Sequence, residues 1–287
     1  MTEIIKIDKK DLPQAFLEMP DPPKALYVEG RWPGEEYIFL TVVGSRKFST
    51  YGKEVCEELI AGLAGYPIAI VSGLAIGIDT IAHKAALKAG LSTLAFPGSG
   101  LDRSVIHPSS NKKLADEIVY AGGALVAEYE PTQPAGIHTF PRRNRLMAAL
   151  AKATLIIEAG EKSGTLITAR LALDYNRDVL AVPGSIFNFG SKGTNRLIRQ
   201  GATPIIDSRD VLEALGFKLE ETDGQQKLFA DLTENEQKIV EILQIEPLPR
   251  DELIMDSGLS AADANQTLAT LEIKGLIKET LGEVRLS

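Results

Sequence analysis

The segment FPRRNR (140 to 145) places an aromatic just before three arginines, at 142, 143 and 145. Arginine grips phosphate oxygens through a planar fork of donors, and an aromatic face stacks on a nucleobase. Two Ser-Gly pairs, Ser72-Gly73 and Ser163-Gly164, each lead into a helix-like stretch, the second by way of Thr165. At such a junction glycine lets the backbone approach an anion, the free N–H groups of the first helical turn donate to it, and hydroxyls add contacts. A third loop, Gly44-Ser45-Arg46, sets a cation behind a glycine. One Ser-Gly pair alone reads equally well as a helix cap. Two of them with Gly44-Ser45-Arg46 and a cluster of Arg142, Arg143 and Arg145 behind Phe140 describe a site for a polyanion whose bases stack. The competing reading of Phe140 is a packed core aromatic.

Other chemistries find less support. Glycine-rich as the loops are, none reads GxxxxGK[ST], so ATP consumption is not expected. His83, His107 and His138 lie apart, without HExxH or the spacing of a metal triad, and Cys56 is the only cysteine. No disulfide within the chain, no metal and no other cofactor is therefore expected. Glu128 and Glu158 both follow apolar runs; the reading favoured for them is orientation of the nearby arginines rather than a catalytic carboxylate pair. Asp79, in the first turn of a helical stretch, reads as a dipole partner or hydrogen-bond acceptor.

The net charge of −8 conceals an asymmetry. Between Arg142 and Arg199 ten Lys/Arg face four acids, whereas from Gln225 to the end six face twelve. A polyanion site thus belongs to the first part of the chain. The opening MTEIIKIDKK lacks an apolar segment with a small-residue cleavage site, and no later run is long enough for a membrane span. The expectation is a soluble cytoplasmic protein without membrane insertion.

Six nearly continuous apolar runs precede these loops: 38 to 44, 68 to 73, 92 to 98, 124 to 129, 154 to 160 and 178 to 184. Continuous apolar character marks strands buried on both faces. Helical spacing fills 50 to 65, 78 to 90 and 165 to 176, which end near glycine or asparagine. Alternating strand and helix predicts an α/β, doubly wound, mostly parallel sheet, whose ligands collect beyond the carboxyl ends of the strands. Residues 1 to 35 are read as an N-terminal extension, 36 to 215 as this α/β domain and 216 to 232 as a linker. Residues 233 to 287 carry three short helical stretches and a hairpin with a glycine at 282, the layout of a small winged-helix domain. Its third helix offers Asp263, Asn265, Gln266 and Thr267 but no arginine, which favours a protein-contacting over a DNA-reading role.

Taken in order, GSR, SGLAIGID, PGSGLD, FPRRNR, EAGEKSGTLITA, VPG and GTNRLIRQGA resemble the bacterial DNA-processing protein A family, DprA, also called Smf. The resemblance implies an extended Rossmann-like domain that binds single-stranded DNA without catalysis, forms a homodimer and loads RecA recombinase during natural transformation. It implies DNA contacts at Arg46, placed by Gly44 and Ser45; at Ser72 and Gly73; at Phe140, Arg143, Asn144 and Arg145; and at Ser163, Gly164 and Thr165, with Lys162 where the family commonly has arginine. His107-Pro108 stands where Tyr-Pro is common, and the 35 residues before the sheet are too few for the N-terminal helical domain of many members. The alternative is a nucleotide-processing enzyme resembling the phosphoribohydrolases. Their PGGxGT loop is replaced here by Pro97-Gly98-Ser99-Gly100-Leu101-Asp102, which lacks the second Gly-Gly contact and the threonine.

Overall fold

The computed structural model describes residues 3–219, 232–280 and 282–286. They form two compact units, divided between Leu219 and Glu220. Most of the expected linker, residues 220–231, lies outside the described residues. Its first residues belong to the first unit: Phe217 packs edge-on against Tyr66 with ring centroids 5.0 Å apart.

The six apolar runs become β3 (Ile38–Val43), β4 (Ile68–Ser72), β5 (Ser92–Ala95), β6 (Ala124–Ala127), β7 (Ala153–Ile156) and β8 (Asp178–Ala181). All are mutually parallel, in the order β6-β5-β4-β3-β7-β8. Helices α2 (Thr50–Ala61), α3 (Ile78–Lys88), α4 (Lys112–Tyr120), α5 (Thr139–Leu150), α6 (Thr165–Asp174), α7 (Lys192–Arg199) and α8 (Ser208–Ala214) follow the short helix α1 (Gln14–Leu17). One core layer, including Leu40, Ile60, Ile70 and Ile78, joins the sheet to α2, α3 and α8. The other, including Val43, Val71, Leu146, Met147 and Ala169, joins it to α5 and α6. Helices thus cover both faces, as continuous apolar strands require.

The extension reading of residues 1 to 35 needs correction. Strands β1 (Ile4–Asp8) and β2 (Ala25–Gly30) extend the sheet antiparallel beyond β6, and the two-residue β9 (Thr203–Pro204) adds to β8. Among the described residues the sheet has nine strands. On β1 only Ile4 and Ile7 are partly covered, so an edge strand looked like an alternation of charge and isoleucine. Between β1 and β2, Phe16 and Met19 sink into the core, and Trp32 stands between Phe16 and Phe39 at 6.3 and 6.0 Å.

The chain lays down β3, β4, β5 and β6 in one direction, then crosses back to set β7 on the other side of β3. Order therefore reverses at β3 and β7, and the loops leaving those two strands splay apart into a crevice.

In the second unit, α9 (Glu234–Leu243), α10 (Arg250–Asp256) and α11 (Ala261–Ile273) precede the hairpin β11 (Ile277–Thr280) and β12 (Glu283–Leu286). The short β10 (Leu248–Pro249) completes a sheet ordered β10-β12-β11 around Ile239, Leu253, Leu268 and Val284. This is a winged helix. Arg250, close to α11, is occupied by Glu272 at 3.5 Å and Glu279 at 3.3 Å. Asn265 turns its amide back to the Ala261 carbonyl, and Thr267 donates to the Asp263 carbonyl.

Candidate nucleic-acid interface

The crevice at the switch point is a cleft of about 860 Å³. Its walls come from the loops after β3, β4 and β7, from the first turns of α5 and α6, and from residues 188–190. Gly44 permits the tight exit from β3, since a Cβ there would collide with Ile78. Ser45 closes the turn that follows: its Oγ donates to the Lys47 carbonyl at 2.6 Å and accepts from the Lys47 N–H at 3.0 Å. Arg46, Lys47 and Phe48 are thereby left exposed. The Arg46 guanidinium lies 5.5 Å from the centre of the Phe140 ring, which also meets His107 at 5.7 Å. Phe140 is half-buried, so it presents a ring and a cation together at the mouth.

Across the cleft, Gly164 is the N-cap of α6, and a Cβ added there would meet nothing within 4 Å. Ser163 accepts from the Thr165 N–H at 3.2 Å, while the Thr165 hydroxyl donates to the Gly44 carbonyl at 3.0 Å. That last bond ties the loop after β3 to the start of α6. Lys162 is exposed at the rim. A positive helix terminus, an open glycine and three exposed cations (Arg46, Lys47, Lys162) therefore converge on one opening, a combination suited to phosphate.

Of the other predicted contacts, Arg143 and Asn144 also line the cleft, whereas Ser72, Gly73, Arg142 and Arg145 do not. The Ser72 hydroxyl is buried and donates to the Val42 carbonyl at 2.7 Å, which makes it a bond across the sheet. Gly73 is buried too, held by Asp79 and Arg143. Arg145 is buried; its Nη2 donates to both carboxylate oxygens of Glu128, at 2.6 and 2.7 Å, while its Nη1 reaches the Asp21 carbonyl at 2.6 Å. It anchors α5 to β6 and to the N-terminal segment. Arg142 is exposed and 3.7 Å from the same carboxylate. Glu128 thus orients arginines as expected, but Glu158 does not. It accepts from the Ser49 N–H at 2.9 Å and the Ser49 hydroxyl at 2.5 Å, and so holds the cap of α2.

Arg143 is buried beneath the cleft. Its Nη1 donates to the carbonyls of Gly73 and Phe96, and its Nε to Asn144 Oδ1 at 3.1 Å. It brackets two strand ends with Nη1 while the residue lines the cleft. Burial lowers its pKa to about 10, against the pull of Asp79, and it stays charged at neutral pH. Asp79 accepts from the N–H groups of Gly73 at 3.1 Å and Ala75 at 3.4 Å. Burial pushes its carboxyl up, opposed by Arg143 and these two bonds. His83 is sealed against Thr93 at 2.7 Å, and burial lowers its pKa to about 3.

Two aromatics of the cleft escaped the sequence reading. Phe48 follows Arg46-Lys47, and Phe189, 66% exposed, rests over Gly160 with Lys192 5.9 Å from its ring. The available signal was an aromatic beside small residues in a loop already bracketed by glycines. Ser99, by contrast, is buried with its hydroxyl on the Gly100 carbonyl, and the PGSG loop does not line the cleft. Among the described residues no group of three or more His, Cys, Asp or Glu could hold a metal ion, and no helix is long and apolar enough to cross a membrane.

Fold and site together define a doubly wound α/β protein whose switch-point cleft is cationic at the rim and flanked by aromatics, joined in one chain to a winged helix. The chain belongs to the DNA recombination-mediator protein A family, whose model matches residues 3–216, and a DprA winged helix domain model matches residues 226–282. It is 42% identical over 216 residues to Protein Smf of Escherichia coli, covering 75% of this chain and 57% of that protein. It is 41% identical over 208 residues to DNA processing protein DprA of Streptococcus pneumoniae, covering 71% of each. The solved structure of the Streptococcus pneumoniae protein superposes with a TM-score of 0.69 at 37% identity, over 76% of each chain. DNA processing protein A of Helicobacter pylori, described for its single-stranded DNA binding mode, superposes with a TM-score of 0.65 at 32% identity, over 75% of this chain and 98% of that one.

Proposed function

We propose that this chain binds single-stranded DNA in the switch-point cleft, without catalysis, and delivers the strand to RecA recombinase in the cytoplasm, as in natural transformation. The observation that carries the reading is the pairing of exposed Arg46 with Phe140 opposite the open N-terminus of α6. Phosphates are held at the rim by Arg46, Lys47, Lys162 and the Gly164 N–H, because the N–H groups of Ser163, Thr165, Leu166 and Ile167 are already bonded within the protein. Bases pass inward along Phe140, Phe48 and Phe189, where stacking is tolerant of sequence. The single-stranded DNA binding of the Helicobacter pylori relative supports this assignment. RecA delivery and a homodimer rest on family membership, and a dimer would raise strand affinity through local concentration. We assign strand binding to the first unit and protein contact to the acidic winged helix, where Arg250 is already occupied by acids.

Fluorescence anisotropy with labelled single-stranded and duplex oligonucleotides across a salt series tests the reading. Preference for the single strand, with a salt slope that falls in Arg46→Ala, is the expected result. No binding by the wild type at low salt would overturn it.

A further inference from the structure

Two side chains grip the Gly73 peptide from opposite ends. Asp79 Oδ2 accepts from its N–H at 3.1 Å, and Arg143 Nη1 donates to its carbonyl. A Cβ on Gly73 would strike both groups, so glycine is what lets them close on it. Both side chains also line the cleft. Each has a polar atom to spare. Asp79 Oδ1 and Arg143 Nη2 take no hydrogen bond among the described residues, and neither is among the sealed atoms that lack a partner. Asp79 is 6% exposed and Arg143 5%, so what little each shows is available to something that enters the cleft.

A phosphate does not suit this position. Asp79 there would repel it, as would the Glu158 carboxylate, which also lines the cleft, whereas the free cations stand at the rim. A neutral group offering one donor beside one acceptor does suit it. The Watson–Crick edge of every base has such a neighbouring pair: N3–H and O4 in thymine, N4–H and N3 in cytosine, N6–H and N1 in adenine, N1–H and O6 in guanine. In a duplex that edge is already used.

We propose that Asp79 Oδ1 and Arg143 Nη2 form an acceptor–donor pair that reads the free Watson–Crick edge of a base inserted into the cleft, whatever its identity. This deepens the single-strand reading above and rests on it. It makes strandedness, rather than sequence, the thing recognised: phosphates outside contribute affinity and the pair inside requires an unpaired base. Arg143 is thus a positioning residue for the Gly73 loop and a reader at the same time.

The test uses the full chain and three strands of equal length: oligo-dT, the same strand with every base N3-methylated, and an abasic strand. Methylation removes the donor that Asp79 would accept while leaving charge and ring face in place. The expected result is a loss of about tenfold for the methylated strand, matching one charge-assisted hydrogen bond, and at least that for the abasic strand. Asp79→Asn is expected to shrink the gap between native and methylated strands, because its amide offers a donor where the carboxylate accepted. Arg46→Ala is expected to weaken all three strands alike. Equal binding of native and methylated strands by the wild type would overturn the proposal while leaving the phosphate rim standing, and it needs no variant to fold. Failure of the wild type to bind any of the strands at low salt would instead overturn the underlying single-strand reading.

Discussion

Removing the Arg46 side chain should change the salt dependence of binding as well as its strength. Arg46, Lys47 and Lys162 are the exposed cations that line the cleft. If each neutralises about one phosphate, the slope of log K against log salt for a single strand is about −2, from roughly −0.7 for each phosphate. Arg46→Ala should bring it to about −1.4. A fourfold rise in salt would then weaken the variant about sevenfold, against about 16-fold for the wild type. At fixed moderate salt the variant should lose about 1 to 2 kcal/mol, because the lost contact is charge-assisted but solvent-screened. That is roughly a 5- to 30-fold drop in affinity. Arg46→Lys separates charge from shape: the slope should stay near the wild-type value, while about 0.5 to 1 kcal/mol is lost with the guanidinium that lies 5.5 Å from the Phe140 ring. Anisotropy titrations of one oligonucleotide at four or more salt concentrations read both quantities. An unchanged slope in Arg46→Ala, whatever the affinity, would refute the placement of a phosphate at Arg46.

Arg145→Ala should behave in the opposite way: it strips the buried cation whose Nη2 meets both Glu128 oxygens, so thermal melting should show a loss of about 3 kcal/mol or more, with the salt slope of the folded fraction unchanged. Gly164→Ala should leave the melting temperature nearly untouched, because a Cβ there meets nothing within 4 Å, yet weaken strand binding by narrowing the approach to α6; unaltered affinity would deny a phosphate at that helix start. Burial lowers the pKa of His83 to about 3 from an ordinary 6.5, so the folded state binds fewer protons than the unfolded one. Its contribution to stability is complete above about pH 6.5 and is lost as pH falls towards 3, and denaturant melts of His83→Gln should show a shallower acid-side decline than the wild type. A chain ending at Leu219 should retain most single-strand affinity, and loss of all of it would move the site into the winged helix.

Local pattern alone determined much of this protein. Runs such as IAIVSG and TLIIEAG have too little polar character to face water on either side, so parallel strands with helices on both faces follow from them. Glycine-bearing loops after those strands then had to gather at one edge, and the capping and turn residues after 232 were enough to write out a winged helix. Strand order was another matter. Only the return of the chain to set β7 beside β3 puts Arg46 opposite Gly164, and nothing in either loop encodes that meeting. The arginines of FPRRNR look alike in sequence, but their fates differ with what distant elements offer them. Glu128 on the loop after β6 captures Arg145, the carbonyls of Gly73 and Phe96 capture Arg143, and Arg142 is left exposed on the surface of the helix. Charge disposes a side chain towards a partner; whether that partner is a carboxylate of the fold or a ligand depends on which groups the tertiary structure brings within about 3 Å.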